Sequence, residues 1–250
     1  MRFTGGLSAA QQAAFETAAA RWGQIISVDV PAVVIDGETI DDVRIDAAGE
    51  FIDGPRGVLG RAGPIDLRPG SFIPATGVMA FDSADLAQME RDGSLVSVIV
   101  HEMGHVLGFG TIFDRVDLIA GAGGPDPRFT GPNATREYGD LLGGDGPRPV
   151  SVPLANVGGP GTRDGHWREA VFANELMTGF LDVGANPISR TTIGAFEDLG
   201  YSVDYAAADA YRLPTATELL TRRDARELHG HDCVILVPEQ RVLPETALVD

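Results

Sequence analysis

The sequence contains no lysine, so every basic side chain is an arginine. Its 250 residues include 19 basic and 36 acidic side chains, which gives a formal net charge of −17 at pH 7. A chain with this excess of negative charge repels phosphate groups, whether they belong to nucleic acid or to anionic lipid. We therefore expect neither a nucleic acid nor an anionic membrane surface as a partner.

Cysteine and long apolar runs are also scarce. Cys233 is the only cysteine, so the fold cannot depend on disulfides between its own residues. A chain of this length that is 44% hydrophobic can bury a sufficient core as one domain, or as two subdomains around a cleft. No run of about 18 apolar residues occurs, and the first twelve residues lack the apolar core of a signal peptide. We expect no transmembrane segment.

Hydrophobic periodicity predicts a mixture of helices and strands. Ser8 and Gln11 form a capping box ahead of an amphipathic helix over 8–26. Three strands are predicted at 28–35, 42–46 and 76–82. Shorter helices are predicted from Asp82 or Ser83 to about residue 90 and over 189–199, the latter capped by Ser189. The Gly/Pro-rich stretches 53–75 and 120–165 are predicted to be irregular.

The segment 95–107, LVSVIVHEMGHVL, is apolar on nearly all sides and is predicted to be a buried helix. It contains His101, Glu102 and His105 as an H-E-x-x-H motif, in which two histidines four residues apart share one helix face. Both imidazoles can then reach one zinc ion, and Glu102 lies close enough to act as a general base. Burying these groups without a cation would cost several kcal/mol.

A catalytic zinc site needs a third protein ligand. Gly108 satisfies the longer pattern H-E-x-x-H-x-x-G-x-x-H, but Thr111 stands where its third histidine belongs, so the ligand must come from further along the chain. The remaining histidines are His166, His229 and His231. A glutamate ligand is the competing arrangement, with three candidates by position: Glu137, Glu169 and Glu175.

Three segments together resemble the leishmanolysin family of metzincin zinc metallopeptidases: HEMGHVLGFG, GHWREAVFANELMTGFL at 165–181, and FEDLGYSVDY at 196–205. The resemblance extends to AAARWGQII and PATGVMAFDSADL and covers about residues 1–205. It implies that His166 is the third zinc ligand and that Met177 forms the methionine turn beneath the site. With a single cysteine, the chain is most similar to compact, disulfide-free relatives of bacterial type.

The resemblance also implies a fold and a division of the chain. It predicts an α+β, metzincin-type fold, in which an N-terminal twisted mixed sheet with two main helices and a smaller irregular C-terminal subdomain enclose an active-site cleft. The expected parts are an N-terminal subdomain at 1–110, a loop-rich insertion at 111–165, a C-terminal subdomain at 166–212 and an appendage at 213–250.

The implied activity is that of a zinc-dependent endopeptidase, in which a zinc-activated water attacks the peptide bond and Glu102 is the general base. The expected partner is a peptide or protein, bound in an extended form along an edge strand. We place that edge on the strand 76–82, at Gly77, Val78, Met79 and Ala80. The alternative is a non-enzymatic interaction module that keeps the fold around a structural zinc site.

Several expectations concern the rest of the chain. The resemblance implies a secreted protein, and we expect a monomer. Asp41 and Asp42 could contribute to a calcium site, although no calcium-loop pattern surrounds them. His229, His231 and Cys233 could form a second metal site or block the zinc, but a solvated tail explains them more simply.

Overall fold

A computed structural model describes residues 1–55, 58–144, 151–159, 161–182, 184–220 and 238–249. It is a mixed α+β structure with a mixed sheet and several helices. The helices are α1 (Ala9–Ile25), α2 (Ser83–Asp92), α3 (Leu95–Val106), α4 (Pro132–Leu141), α5 (Glu169–Phe172) and α6 (Arg190–Asp198). The strands are β1 (Arg2–Gly5), β2 (Val33–Ile35), β3 (Glu38–Ile40), β4 (Arg44–Glu50), β5 (Gly60–Leu67), β6 (Pro74–Asp82), β7 (Ile119–Ala120), β8 (Arg128–Phe129), β9 (Val152–Pro153) and β10 (Arg241–Val242).

The predicted first helix is confirmed together with its cap. The Ser8 side chain accepts a hydrogen bond from the Gln11 N–H, and the Gln11 side chain accepts one from the Ser8 N–H. Phe15 and Trp22 lie on the buried face of α1. The Trp22 indole donates a hydrogen bond to the Val100 carbonyl of α3 at 2.9 Å, so the two long helices are joined by a polar contact within the core.

The main sheet has five strands in the order β1-β4-β6-β5-β10. Strands β1, β4 and β6 are parallel, β5 is antiparallel to β6, and β10 is parallel to β5. The prediction of an irregular segment at 53–75 is wrong for β5. Pro64 and two glycines weaken its strand signal, yet the strand forms because β6 pairs with it along its length.

The placement of the substrate edge at Gly77–Ala80 is also wrong. Gly77, Val78, Met79 and Ala80 lie in β6, the central strand, which pairs with β4 on one side and β5 on the other. Their backbone groups are therefore used within the sheet and cannot receive a peptide strand. A Cβ at Gly77 would lie 2.4 Å from the Val106 side chain of α3, so the glycine at this position allows α3 to pack directly on β6.

Helices α2 and α3 follow β6 almost without a break. Asp82 caps α2 by accepting a hydrogen bond from the Ala84 N–H at 2.8 Å, and Gly93 ends the helix with a φ of 77°. Helix α3 is buried on most sides and packs against α1, β5 and β6. The predicted buried helix is therefore confirmed, ending one residue earlier than expected.

The segment 111–165 has more regular structure than its composition suggested. Strands β7, β8 and β9 form a small antiparallel sheet, and α4 packs against α6. Helix α4 begins with Pro132 in its first turn, and it buries Ala134, Glu137 and Tyr138 at helical spacing. Glu137, one of the candidate glutamate ligands, therefore lies on the buried face of a helix.

The chain returns to the main sheet in residues 238–249. Strand β10 pairs with the end of β5, and the Arg241 guanidinium lies 2.7 Å from the buried Asp66 carboxylate. Leu243 and Ala247 are buried with residues of β2 and β3. The apolar side chains of this part of the predicted appendage therefore complete a second small core. Within the described residues, no helix has the length and apolarity needed to cross a membrane.

Candidate metal centre

The chain turns sharply at the end of α3, shortly after His105. Gly108 has a φ of 114°, a conformation that glycine adopts without steric cost. The Thr111 hydroxyl donates a hydrogen bond at 2.8 Å to the His105 carbonyl, one of the last acceptors of the helix. Thr111, which occupies the expected position of a third histidine, therefore serves as a cap of the helix end.

His166 arrives from the far end of the segment that follows α3. Gly110 has a φ of 74°, and a Cβ added there would lie only 2.1 Å from the Gly165 carbonyl oxygen. The two backbones can approach this closely only because residue 110 has no side chain. This contact sets Gly165, and with it His166, against the end of α3.

The three histidines meet at their Nε2 atoms. The Nε2–Nε2 distances are 3.0 Å between His101 and His105, 3.0 Å between His105 and His166, and 3.2 Å between His101 and His166. All three side chains are fully buried. Among the described residues they form the group of potential ligands whose donor atoms lie within 4.8 Å of one another.

Backbone carbonyls fix the orientation of each ring. His101 Nδ1 lies 2.6 Å from the Leu176 oxygen, His105 Nδ1 2.8 Å from the Phe109 oxygen, and His166 Nδ1 3.1 Å from the Thr162 oxygen. A carbonyl can only accept, so each Nδ1 carries the proton and each Nε2 presents a lone pair to the other two. Burial lowers the pKa of His101 to about 4 and that of His166 to about 3, and it also lowers the pKa of His105.

This donor set fits a zinc ion. Three converging lone pairs repel one another unless a cation lies between them, and neutral imidazole is the form that binds metal. Tetrahedral zinc with Zn–N distances of 2.0–2.1 Å separates its nitrogen ligands by about 3.3 Å. The observed separations are close to that value, so the triad could hold a metal.

Glu102 and Met177 lie beside the triad. Glu102 follows His101 in α3 and is 2% exposed. Met177 is fully buried in the turn Glu175–Thr178, and its Sδ and Cε lie 3.0 Å from the Cβ position of Gly104, between the two helix histidines. The Met177 side chain is therefore packed directly against the backbone of the helix that carries the motif.

The other sequence candidates lie elsewhere. The Glu137 carboxylate bonds to Arg136 and Arg190, and the two oxygens of Glu175 accept hydrogen bonds from the backbone N–H groups of Met177 and Ser189. Glu169 does not belong to the described ligand group. The Asp41 and Asp42 backbone carbonyls accept hydrogen bonds from the buried Arg68 guanidinium, and neither residue belongs to the described ligand group. His229, His231 and Cys233 lie outside the described residues.

Sequence reasoning did not identify the groups that orient the imidazoles. Leu176, Phe109 and Thr162 act through their carbonyl oxygens, which every residue type possesses, so no sequence signal could have marked them. Thr111 was noticed only as a departure from the expected histidine. A hydroxyl one turn beyond a helix end was the available signal for its capping role.

The structure is thus of the class of α+β domains with a potential metal centre formed by three convergent histidines, two of them from an H-E-x-x-H helix. The sequence model described as leishmanolysin matches residues 69–218, which is more than half of the chain, and the chain belongs to the leishmanolysin family.

Two curated relatives are similar over 147 residues. A leishmanolysin homolog from Crithidia fasciculata is 31% identical over 56% of this chain and 22% of its own length. Leishmanolysin from Leishmania amazonensis is 29% identical over 55% of this chain and 23% of its own length. The similar region thus spans less than a quarter of either relative.

Proposed function

We propose that this chain is a zinc-dependent endopeptidase. The observation that carries the proposal is the convergence of three buried Nε2 lone pairs, from His101, His105 and His166, each fixed by a carbonyl behind its ring. Leishmanolysin-family proteins depend on zinc, and this donor set suits zinc better than calcium, which prefers oxygen ligands. The expected partner is a peptide or protein substrate.

The three histidines would hold the ion and leave a fourth position open, as in catalytic rather than structural zinc sites. Bound zinc supplies a Lewis acid that lowers the pKa of water and polarises the scissile carbonyl. Glu102 accepts the proton of the attacking water and delivers it to the leaving amine. Its position one residue after His101 turns it about 100° around the helix, beside the ligand face.

We further propose a metzincin-type arrangement, with 1–110 and 166–212 as the two subdomains and 111–165 as an insertion. Met177 would then form an apolar floor beneath the imidazoles. Its contact with the backbone at Gly104 and its complete burial support this role. Residues 238–249 would count with the N-terminal subdomain, because β10 extends its sheet.

We propose β5, rather than β6, as the edge strand that binds the substrate. Of the described strands, only β10 pairs with the outer side of β5, and it does so at Asp66 and Leu67. The Asp82 N–H donates to the Leu59 carbonyl, so by alternation Arg61 and Gly63 bond inward, whereas Gly60 and Ala62 direct N–H and C=O groups outward. Pro64 also faces outward, where its missing N–H breaks no bond within the sheet.

The central experiment separates metal binding from turnover. Glu102→Gln should retain one zinc per chain while its kcat/KM for a peptide substrate falls at least about 100-fold, because a general base typically contributes that much. Glu16→Gln, at an exposed position of α1, is the matched control and should cleave like wild type. Unchanged cleavage by Glu102→Gln would exclude the proposed base.

The alternative, a non-enzymatic module with a structural zinc, is tested by the same samples. It predicts zinc in the wild-type protein but no cleavage of casein or of a peptide library. His166→Ala tests the ligand set independently. Full zinc occupancy in that variant at stoichiometric metal would contradict the assignment of His166 as the third ligand.

A further inference from the structure

Glu175 is a completely buried acidic residue with an unusual set of partners. Its Oε2 accepts the Met177 N–H at 2.7 Å. Its Oε1 accepts the Ser189 N–H at 2.9 Å, the Ser189 hydroxyl at 2.8 Å and the Thr192 hydroxyl. All four partners donate, which is the pattern that a carboxylate satisfies and an amide or apolar side chain cannot. Burial raises the pKa of Glu175, and these hydrogen bonds act against that rise.

The carboxylate joins two parts of the subdomain. Ser189 caps α6, and Thr192 lies in its first turn, so Oε1 is held at the N-terminus of that helix. Oε2 is held by the turn that carries Met177. Glu175 therefore fixes the turn to the start of α6.

The turn and the start of α6 are each linked to a histidine of the triad through one residue. Leu176, within the turn, supplies the carbonyl that orients His101. Trp167, directly after His166, donates its indole N–H to the Thr192 hydroxyl at 2.8 Å and its backbone N–H to the Met177 carbonyl at 2.9 Å. The structure thus places Glu175 behind both His101 and His166 at once.

We propose that Glu175 is a positioning residue for the metal centre, holding the Leu176 carbonyl and Trp167 in the places that aim His101 and His166 at the ion. This inference rests on the proposed zinc site. It assigns Glu175 no role as a ligand, because both of its oxygens are engaged by donors. It also gives Ser189 and Thr192 a function beyond capping a helix.

The test replaces the acceptor without changing its shape. In Glu175→Gln one oxygen becomes an NH2 group, which must face the Met177 N–H or the donors from α6. Asp82→Asn is the matched control, since Asp82 is also fully buried, caps a helix and accepts four hydrogen bonds, but it lies at the start of α2. Both variants exchange a buried carboxylate for an amide, and only one of them touches the turn.

Two readouts distinguish positioning from a general loss of stability. The chain has two tryptophans, so metal-free protein gives two indole 15N–1H signals. Glu175→Gln should shift the Trp167 signal and leave that of Trp22, which bonds to Val100, in place. Its zinc Kd should rise at least about 10-fold, whereas Asp82→Asn should stay within about 2-fold of wild type.

A second pair keeps the test decisive if Glu175→Gln does not fold. Thr192→Val removes the hydroxyl that links Trp167 to Glu175, and Thr192→Ser keeps it. We expect weaker zinc binding in the valine variant and near-wild-type binding in the serine variant. Equal zinc affinity in both, or equal losses in Glu175→Gln and Asp82→Asn, would overturn the proposal. A wild-type protein that binds no zinc would instead refute the proposed function, while the metal-free indole signals would still report on Glu175.

Discussion

The approach of Gly110 to Gly165 allows the third-ligand assignment to be tested without touching a histidine. We predict that Gly110→Ala weakens zinc binding by at least about 10-fold, or 1.4 kcal/mol. A new Cβ would lie 2.1 Å from the Gly165 oxygen, whereas real contacts are essentially never below 3.0 Å, so the two segments must separate by about 0.9 Å. Metal–ligand distances tolerate only about 0.2 Å.

A matched control separates the conformational cost of the substitution from the effect of the Gly110–Gly165 contact. An alanine in the left-handed region costs about 1–2 kcal/mol wherever it is placed. Gly70 has a φ of 73°, against 74° for Gly110, and nothing lies within 4 Å of its Cβ position. Gly70→Ala therefore pays the same backbone cost without displacing a neighbour, and its zinc affinity should equal that of wild type.

The measurement is a competition titration of metal-free protein against a chromogenic chelator, with Tm recorded for both variants. Gly110→Ala should lose both zinc affinity and stability, and Gly70→Ala should lose stability alone. If the two variants bind zinc equally well, the Gly110–Gly165 contact does not position His166, and the reasoning fails.

If the protein is held at a free zinc concentration of 100 times its Kd, removing the zinc with a chelator should lower the free energy of unfolding by about 2.7 kcal/mol. This corresponds to a fall in Tm of about 5–11 °C. The His166→Ala variant should show no such shift. The pKa of Asp82 is lowered, because hydrogen bonds from four backbone N–H groups outweigh the effect of burial, which alone would raise it. The ionised Asp82 carboxylate therefore stabilises the fold above about pH 4, and this stabilisation is lost as the pH falls. The stability gap between wild type and Asp82→Asn, measured by urea unfolding, should therefore be about 1–3 kcal/mol at pH 7 and narrow below pH 4; a gap independent of pH would contradict this. Arg68→Met should lower the free energy of unfolding by at least about 3 kcal/mol in the same assay, because the backbone carbonyls of Pro31, Asp41, Asp42 and Pro74 lose their donor. A loss below about 1 kcal/mol would refute that account.

The features that sequence reasoning predicted well are those encoded over a few neighbouring residues. The capping box at Ser8 and the apolar helix around His101 follow from local patterns, and both are present. Strand β5 was missed because its composition, with Pro64 at its centre, opposes a strand locally and is overridden by pairing with β6. The same limitation caused the substrate edge to be placed on the wrong strand.

The metal centre likewise has parts that the sequence predicts and parts that it does not. Its imidazoles could be proposed from a motif and a family resemblance, since side-chain chemistry is visible in sequence. The carbonyls that orient them, and the glycine contact that lets His166 approach, depend on three-dimensional proximity between residues far apart in the chain. The network around Glu175 belongs to the same category, because Ser189 and Thr192 read locally as ordinary capping residues.

The pairing of Asp66 with Arg241 has a consequence for the order in which the protein can be assembled during synthesis. The two residues are 175 positions apart, and the buried carboxylate has the Thr76 hydroxyl as its only other side-chain partner among the described hydrogen bonds. Until residue 241 has left the ribosome, a nascent chain would bury an uncompensated charge beside an unpaired strand end. The sheet that carries the zinc-motif helix can therefore reach its final stability only after the whole segment containing His166 has been made.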